Sequence, residues 1–190
     1  LMAADDDIRS LDFIEKNIVF LENNADYVAS TSPSRFEHRN FDEHAMGDGS
    51  IECFDKYDRV NDFLNRWHAN ARVYSLVRRE EMQRAYTVNN FLGGDWMVVL
   101  SLLMLGKYKR IESGEVILGN GGVSNNNIFS MYRKGFLGWI FPFYPLLSAS
   151  FGLLKGAKIS QKIKLIISLG KFNVIAFYWQ IKKELYIKIK

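Results

Sequence analysis

One cysteine, three prolines and three histidines are spread over 190 residues. The lone Cys53 excludes a disulfide scaffold and a cysteine-built zinc cluster, and no histidine stands beside it as a nucleophile's partner; it reads as a small apolar residue. Three prolines and 14 glycines are too few for a collagen-like or proline-rich chain. Neither a Ser-His-Asp order nor a Walker-type glycine loop is present, and no internal repeat is found. No basic segment followed by an apolar one opens the chain in the manner of a secretory signal. Long uncharged runs are scarce: 136–154 is the one of membrane-crossing length. Acid is nearly missing from the last sixty residues, where Glu184 stands alone.

What is present is 48% hydrophobic and 24% charged residues, enough apolar surface for a packed core. The net charge of +4 hides two halves. Residues 1–130 carry 14 Lys+Arg against 20 Asp+Glu, and residues 131–190 carry 11 against one. Basicity confined to a strongly apolar tail fits a surface of anionic lipids better than a phosphodiester groove. With no stacking platform or recognition helix in view, nucleic acid is not expected as a partner.

Strand-like and helix-like segments alternate, which predicts an α/β domain with a mixed sheet. Residues 1–4 read as the end of a buried strand, followed at once by Asp5, Asp6 and Asp7. A helix is expected over 11–21, capped by Ser10, with Leu11, Ile14, Ile18 and Leu21 on its apolar face. Asn23 and Asn24 end it, and a strand over 26–32 stops at Pro33. Residues 34–50 read as a polar loop, solvated or, with His38, His44, Asp42, Glu43 and Asp48, metal-binding. Asp58 could cap a helix that buries Val60, Phe63, Leu64 and Trp67. A strand over 71–77 and a short helix over 78–86 follow. Gly93-Gly94-Asp95-Trp96 then precedes a helix over 97–105 that is apolar all round, hence buried, and is closed by Gly106. An extended segment over 111–118 and a Gly/Asn/Ser loop over 119–127 complete this half.

The tail begins near Met131. Pro142 and Pro145 would break a helix over 136–154, which predicts a broken, interfacial or re-entrant segment rather than a clean span. Over 159–179 lysines interrupt the apolar residues every few positions, a pattern that lets lysines reach headgroups while Ile, Phe and Trp enter the acyl boundary. The competing reading docks the tail on its own domain or on another subunit.

Three adjacent carboxylates repel one another, and a divalent cation relieves that repulsion; oxygen ligands suit Mg²⁺ or Mn²⁺. The plain alternative is a solvated turn. Asp95 likewise reads either as a catalytic carboxylate or as the cap of the next helix. Trp96 reads as a core aromatic, and Arg78 and Arg79 as the start of a solvated helix.

In order along the chain, Asp5-Asp6-Asp7, Phe13-Ile14-Glu15, Phe20-Leu21-Glu22, Ala25-Asp26, the run from Asn70 through Val77-Arg78-Arg79-Glu80, Gly93-Gly94-Asp95-Trp96 and Gly106-Lys107-Tyr108-Lys109-Arg110 resemble family 2 glycosyltransferases of the GT-A fold. The resemblance spans residues 1–128. It implies a partial GT-A domain over 1–130, a mixed sheet flanked by helices, followed by a basic, apolar helical tail over 131–190. It also implies metal (Mn²⁺ or Mg²⁺) on the run Asp5, Asp6 and Asp7, with Asp5 and Asp7 or Asp6 and Asp7 as the ligand pair, Asp95 as the base, and Gly93, Gly94, Trp96 and Arg78 near substrate. The donor is then a nucleotide diphosphate-sugar, and the acceptor a saccharide or a lipid-linked glycan at the cytoplasmic face of a membrane. The family's first βαβ units would lie before Leu1, so this fragment is expected to be inactive alone. Ser10-Leu11 replaces the proline usual after the acidic run, and the loop over 119–127 lacks the histidine some relatives carry as a third metal ligand. The alternatives are a non-catalytic, membrane-associated interaction module and, behind it, a metal-dependent hydrolase.

Overall fold

The computed structural model describes residues 7–38, 42–65, 67–86, 91–119, 131–132 and 135–189. The expected strand over 1–4, Asp5, Asp6 and most of the 119–127 loop lie outside these residues.

The chain is mixed α/β, with two small mixed sheets. In the first, strand β1 (Ile8–Arg9) runs antiparallel to β6 (Val116–Leu118), and β3 (Ser34–Phe36) runs parallel to β6. In the second, β2 (Tyr27–Thr31) is central, antiparallel to β4 (Leu76–Val77) and parallel to β5 (Lys107–Arg110). A buried strand between two partners satisfies all its backbone groups, and β2 is buried from Val28 to Thr31.

Helix α1 (Asp12–Asn23) ends at Asn24, as its asparagines predict, but is rotated about its axis so that of the expected face only Leu21 is buried. Its buried residues are Phe13, Asn17 and Leu21, whereas Leu11, Ile14 and Ile18 are exposed. The reason is a polar group inside. Asn17 donates to the Phe13 carbonyl (2.8 Å) and to Ser32 Oγ (3.2 Å), so a residue that reads as surface is accommodated in the interior. Ser10 does not cap α1; its hydroxyl accepts the Glu115 N–H at 2.9 Å and ties the helix start to the segment before β6.

The polar loop expected over 34–50 contains β3 and a short helix α2 (Glu43–Met46) capped by Asp42. Helix α3 (Lys56–Phe63) is capped by Asp55 rather than Asp58: its carboxylate accepts the N–H groups of Tyr57 and Asp58. Val60, Phe63 and Leu64 are buried as expected. In place of the strand over 71–77, a 3₁₀ turn (Ala71–Tyr74) leads into the two-residue β4, and α4 (Arg79–Ala85) follows.

Helix α5 (Gly94–Leu105) runs through the main core, with Trp96, Val98, Val99, Leu100, Leu102 and Leu103 buried. Its last turn is pinned by Arg59, which donates to the Leu103 carbonyl (2.7 Å) and to the Cys53 and Phe54 carbonyls (2.9 and 2.8 Å). A buried guanidinium thus satisfies a carbonyl that the helix end leaves without an intrahelical partner. Cys53 itself is exposed.

The tail folds back on this core. Helices α6 (Gly135–Ile140) and α7 (Tyr144–Ser150) are separated at Pro142, with Pro145 in the first turn of α7, where its missing N–H costs nothing. A 3₁₀ turn (Phe151–Leu154) leads to the long α8 (Ile159–Ile189). Leu146, Leu165, Leu169, Phe172 and Ala176 join the cluster that contains Phe63, Leu100 and Leu103. Hydrogen bonds fix the seam: Tyr57 Oη to the Lys155 carbonyl (2.8 Å), Gln161 Nε2 to Asp55 Oδ1 (3.0 Å), and the Phe143 N–H to Asn173 Oδ1 (2.9 Å). The tail is therefore docked on its own domain through one face. Another face of α8 leaves Ile163, Ile166, Ile167, Val174 and Tyr178 exposed, while Phe136, Leu137 and Phe141 are exposed around α6. Among the described residues no helix is long and apolar enough to cross a membrane.

Candidate functional site

Asp95 sits in the first turn of α5, after Gly93, which occupies the cap position with φ +88°. It is therefore not the cap residue. The residue remains open to solvent, yet protein atoms crowd its carboxylate. That desolvation pushes its pKa above the ordinary carboxylate value, against the pull of the Asn70 amide and of the Trp96 and Asp95 backbone N–H groups. An accessible carboxylate with a raised proton affinity is a stronger base than an ordinary surface carboxylate.

Four side chains converge here. Asn70 Nδ2 donates to Asp95 Oδ2 at 2.8 Å. The Asn70 backbone N–H donates to His68 Nδ1 (3.0 Å), so the ring proton is on Nε2, 3.1 Å from the Phe63 carbonyl. The His68 ring stacks on Trp96, centroids 4.5 Å apart and planes 3° from parallel. Gly47, at φ +66°, permits this packing, because a Cβ there would come within 2.4 Å of His68 Nδ1. Sequence reading missed Asn70 and His68 as site residues; the only signal for the former was an asparagine opening the 70–80 motif.

Burial, then the nearby Arg72 charge, pushes the His68 pKa down to about 3. The unfolded chain takes up this proton below pH 6.5 and the folded chain does not. The stability it contributes is complete above that pH and is lost as pH falls toward 3. Between pH 7 and pH 5 this residue should cost the fold about 2 kcal/mol. Urea unfolding of the wild type and His68→Gln at both pH values measures it: the variant should lose the extra acid sensitivity, and equal slopes would refute the assignment.

Arg72 is buried beside His68. It donates from Nε and Nη2 to the Gly49 carbonyl (2.9 and 2.6 Å), and burial lowers its pKa to about 10. A cavity of about 200 Å³ opens beside the pair, with Glu43, Asp62, Asn65 and Ser50 on its wall.

The other expected site residues fall as follows. Trp96 is 6% exposed and enclosed by His68, Phe63 and Phe172; it is a core residue. The space over Gly93 is filled by Phe143 and Leu146 of the tail rather than left for a sugar. Gly94 starts α5. Arg78 donates to the carbonyls of Tyr27, Leu21 and Asn24, closing the C-terminus of α1 onto β2, a structural role in place of the expected contact with substrate.

Asp7 is the one described member of the acidic run. Its side chain is 3% exposed, accepts the Gly119 N–H at 3.4 Å, and lies 4.0 Å from Arg9 Nη2. Arg9 in turn lies over the Phe13 ring, and Phe13 packs with Ala71, the residue after Asn70. A single carboxylate already beside a guanidinium does not by itself make a metal chelate. Nor do the acids of 34–50 form one. Asp48 turns inward, its carboxylate accepting the Ser34 N–H (2.6 Å) 3.7 Å from Arg110 Nε, and His38 pairs with Glu37 at the surface. Among the described residues no group of three or more His, Cys, Asp or Glu side chains is placed to hold a metal ion.

Compared with known proteins, the chain matches no family model, no curated protein and no solved structure.

Proposed function

We propose that the chain belongs to an inverting glycosyltransferase of the GT-A type that moves a sugar from a nucleotide diphosphate-sugar to a saccharide or lipid-linked acceptor. The observation that carries this reading is Asp95: an accessible carboxylate at the head of a buried helix, raised in proton affinity and held by an amide. In the reaction the acceptor oxygen attacks the anomeric carbon, its proton passes to Asp95, and the bond to the diphosphate breaks with inversion. A metal on Asp5, Asp6 and Asp7, Mn²⁺ or Mg²⁺, would supply Lewis-acid stabilisation of the leaving diphosphate. Titration calorimetry of the chain, together with any residues that precede Leu1, against Mn²⁺ and a panel of nucleoside diphosphates tests the reading. Metal-dependent heat with one nucleotide is expected; its absence across the panel would remove the donor site.

The composition and exposed faces of the tail support a place for this activity at the cytoplasmic face of a membrane. Support comes from the exposed isoleucines of α8 and from the excess of lysine and arginine over 131–190. Vesicles containing phosphatidylserine should pellet the protein at low salt and release much of it as salt rises. Protein that stays in the supernatant with anionic vesicles refutes the membrane role. The same exposed faces favour a second reading, an interaction module without catalysis, which calorimetry separates from the first.

A further inference from the structure

We infer that Asn70 is the positioning residue of this site: its side-chain amide holds the Asp95 carboxylate in one orientation, on a backbone that His68 locks. The inference rests on the reading of Asp95 as the base.

Asn70 is the one non-glycine with positive φ among the described residues, at φ 57° and ψ 43°. That region costs most L-residues on the order of 1 kcal/mol, and asparagine tolerates it best. The residue is fully buried, and its Oδ1 has no hydrogen-bond partner. A buried acceptor left unpaired costs roughly 1–3 kcal/mol. Strain and an unmade hydrogen bond therefore coincide at the residue that touches Asp95, which is the pattern expected where geometry serves function.

The amide has one way to face. Turned over, Oδ1 would meet the Asp95 carboxylate, oxygen against oxygen. The 2.8 Å bond sets Nδ2 toward Asp95. The backbone is held from the other side, because the Asn70 N–H reaches a ring nitrogen that can only accept, His68 being neutral. His68 also stacks on Trp96, the neighbour of Asp95. Two short segments, 68–70 and 95–96, are thus clasped twice, once by a ring and once by an amide. The groups acting on the carboxylate are this amide and the two backbone N–H groups at the head of α5, so removing the amide removes a large share of what stabilises the charge.

Asn70→Gly keeps the left-handed backbone and deletes the amide; Asn70→Asp keeps the shape and replaces the donor with a carboxylate. Carboxyl ¹³C NMR of the full chain should show Asp95 titrating at higher pH in both variants, most of all in Asn70→Asp. In the wild type the Asn70 side-chain ¹⁵N resonance should move as Asp95 titrates, and in Asp95→Asn that movement should vanish. With donor and acceptor in hand, kcat should fall roughly ten- to a hundredfold with KM little changed, and the acid limb of the rate profile should shift to higher pH. An unmoved Asp95 titration in folded Asn70→Gly, or a wild-type Asn70 resonance blind to Asp95, overturns the inference. The NMR arms need no substrate, so the two failures differ. Coupling without any sugar transfer sinks the enzymatic reading and the positioning role with it. Transfer without coupling sinks the positioning role alone.

Discussion

Asp95→Asn should leave the chain folded and lower sugar transfer by roughly a hundred- to ten-thousandfold. The asparagine has the same shape and still offers Asn70 an acceptor oxygen, so the 2.8 Å contact survives. Removing a charge that its crowded surroundings disfavour costs the fold little. What is lost, on the proposed glycosyltransferase reading, is the group assigned to take the acceptor's proton as its oxygen attacks. Measured kcat against the wild type, with circular dichroism as the control for folding, checks the result. Retained turnover would take Asp95 out of the mechanism.

Phe172→Ala should destabilise the protein by about 3–5 kcal/mol and lower its melting temperature by on the order of 10 °C. Phe172 is 2% exposed and meets Trp96 edge to face at 5.1 Å and Trp67 at 5.7 Å. Its removal leaves a cavity between α8 and the head of α5 that rigid aromatic neighbours cannot close. Thermal unfolding without lipid is the deciding measurement. A change below about 1 kcal/mol would mean that α8 is not seated on the domain, and that the tail's apolar residues serve only a membrane or a partner.

The legible parts of the fold are those where local pattern and burial agree. Helix α5 announces itself because every turn is apolar and glycines bracket it. The break at Pro142 is legible because proline cannot continue a helix. Helix α1 is legible at Leu21 alone: periodicity also favours Leu11, Ile14 and Ile18, while a buried Asn17 satisfied by Ser32 turns Phe13 inward and leaves those three exposed. The 71–77 segment alternates like a strand, but the left-handed Asn70 launches a 3₁₀ turn, and one residue's φ leaves no trace in hydropathy. Of the candidate site, Asp95 was proposed from its motif. Its partners were not, since Asn70 and His68 reach it only through tertiary contact. The tail's lysines and isoleucines suggested a lipid surface, yet the same composition also carries Leu165, Leu169 and Phe172, which fit the core.

The parallel pairing of β2 with β5 has a consequence for biosynthesis. On the ribosome β2 emerges long before Lys107, and everything in between must be made first. At about 5–20 residues per second that interval is on the order of four to fifteen seconds. For that time Val28 to Thr31 has β4 as its only possible sheet neighbour, and β4 is two residues long. The nascent chain therefore passes through a window in which a strand edge without its partner is open to chaperones or a second nascent copy. Yield of the assembled protein should depend on how quickly translation closes that window.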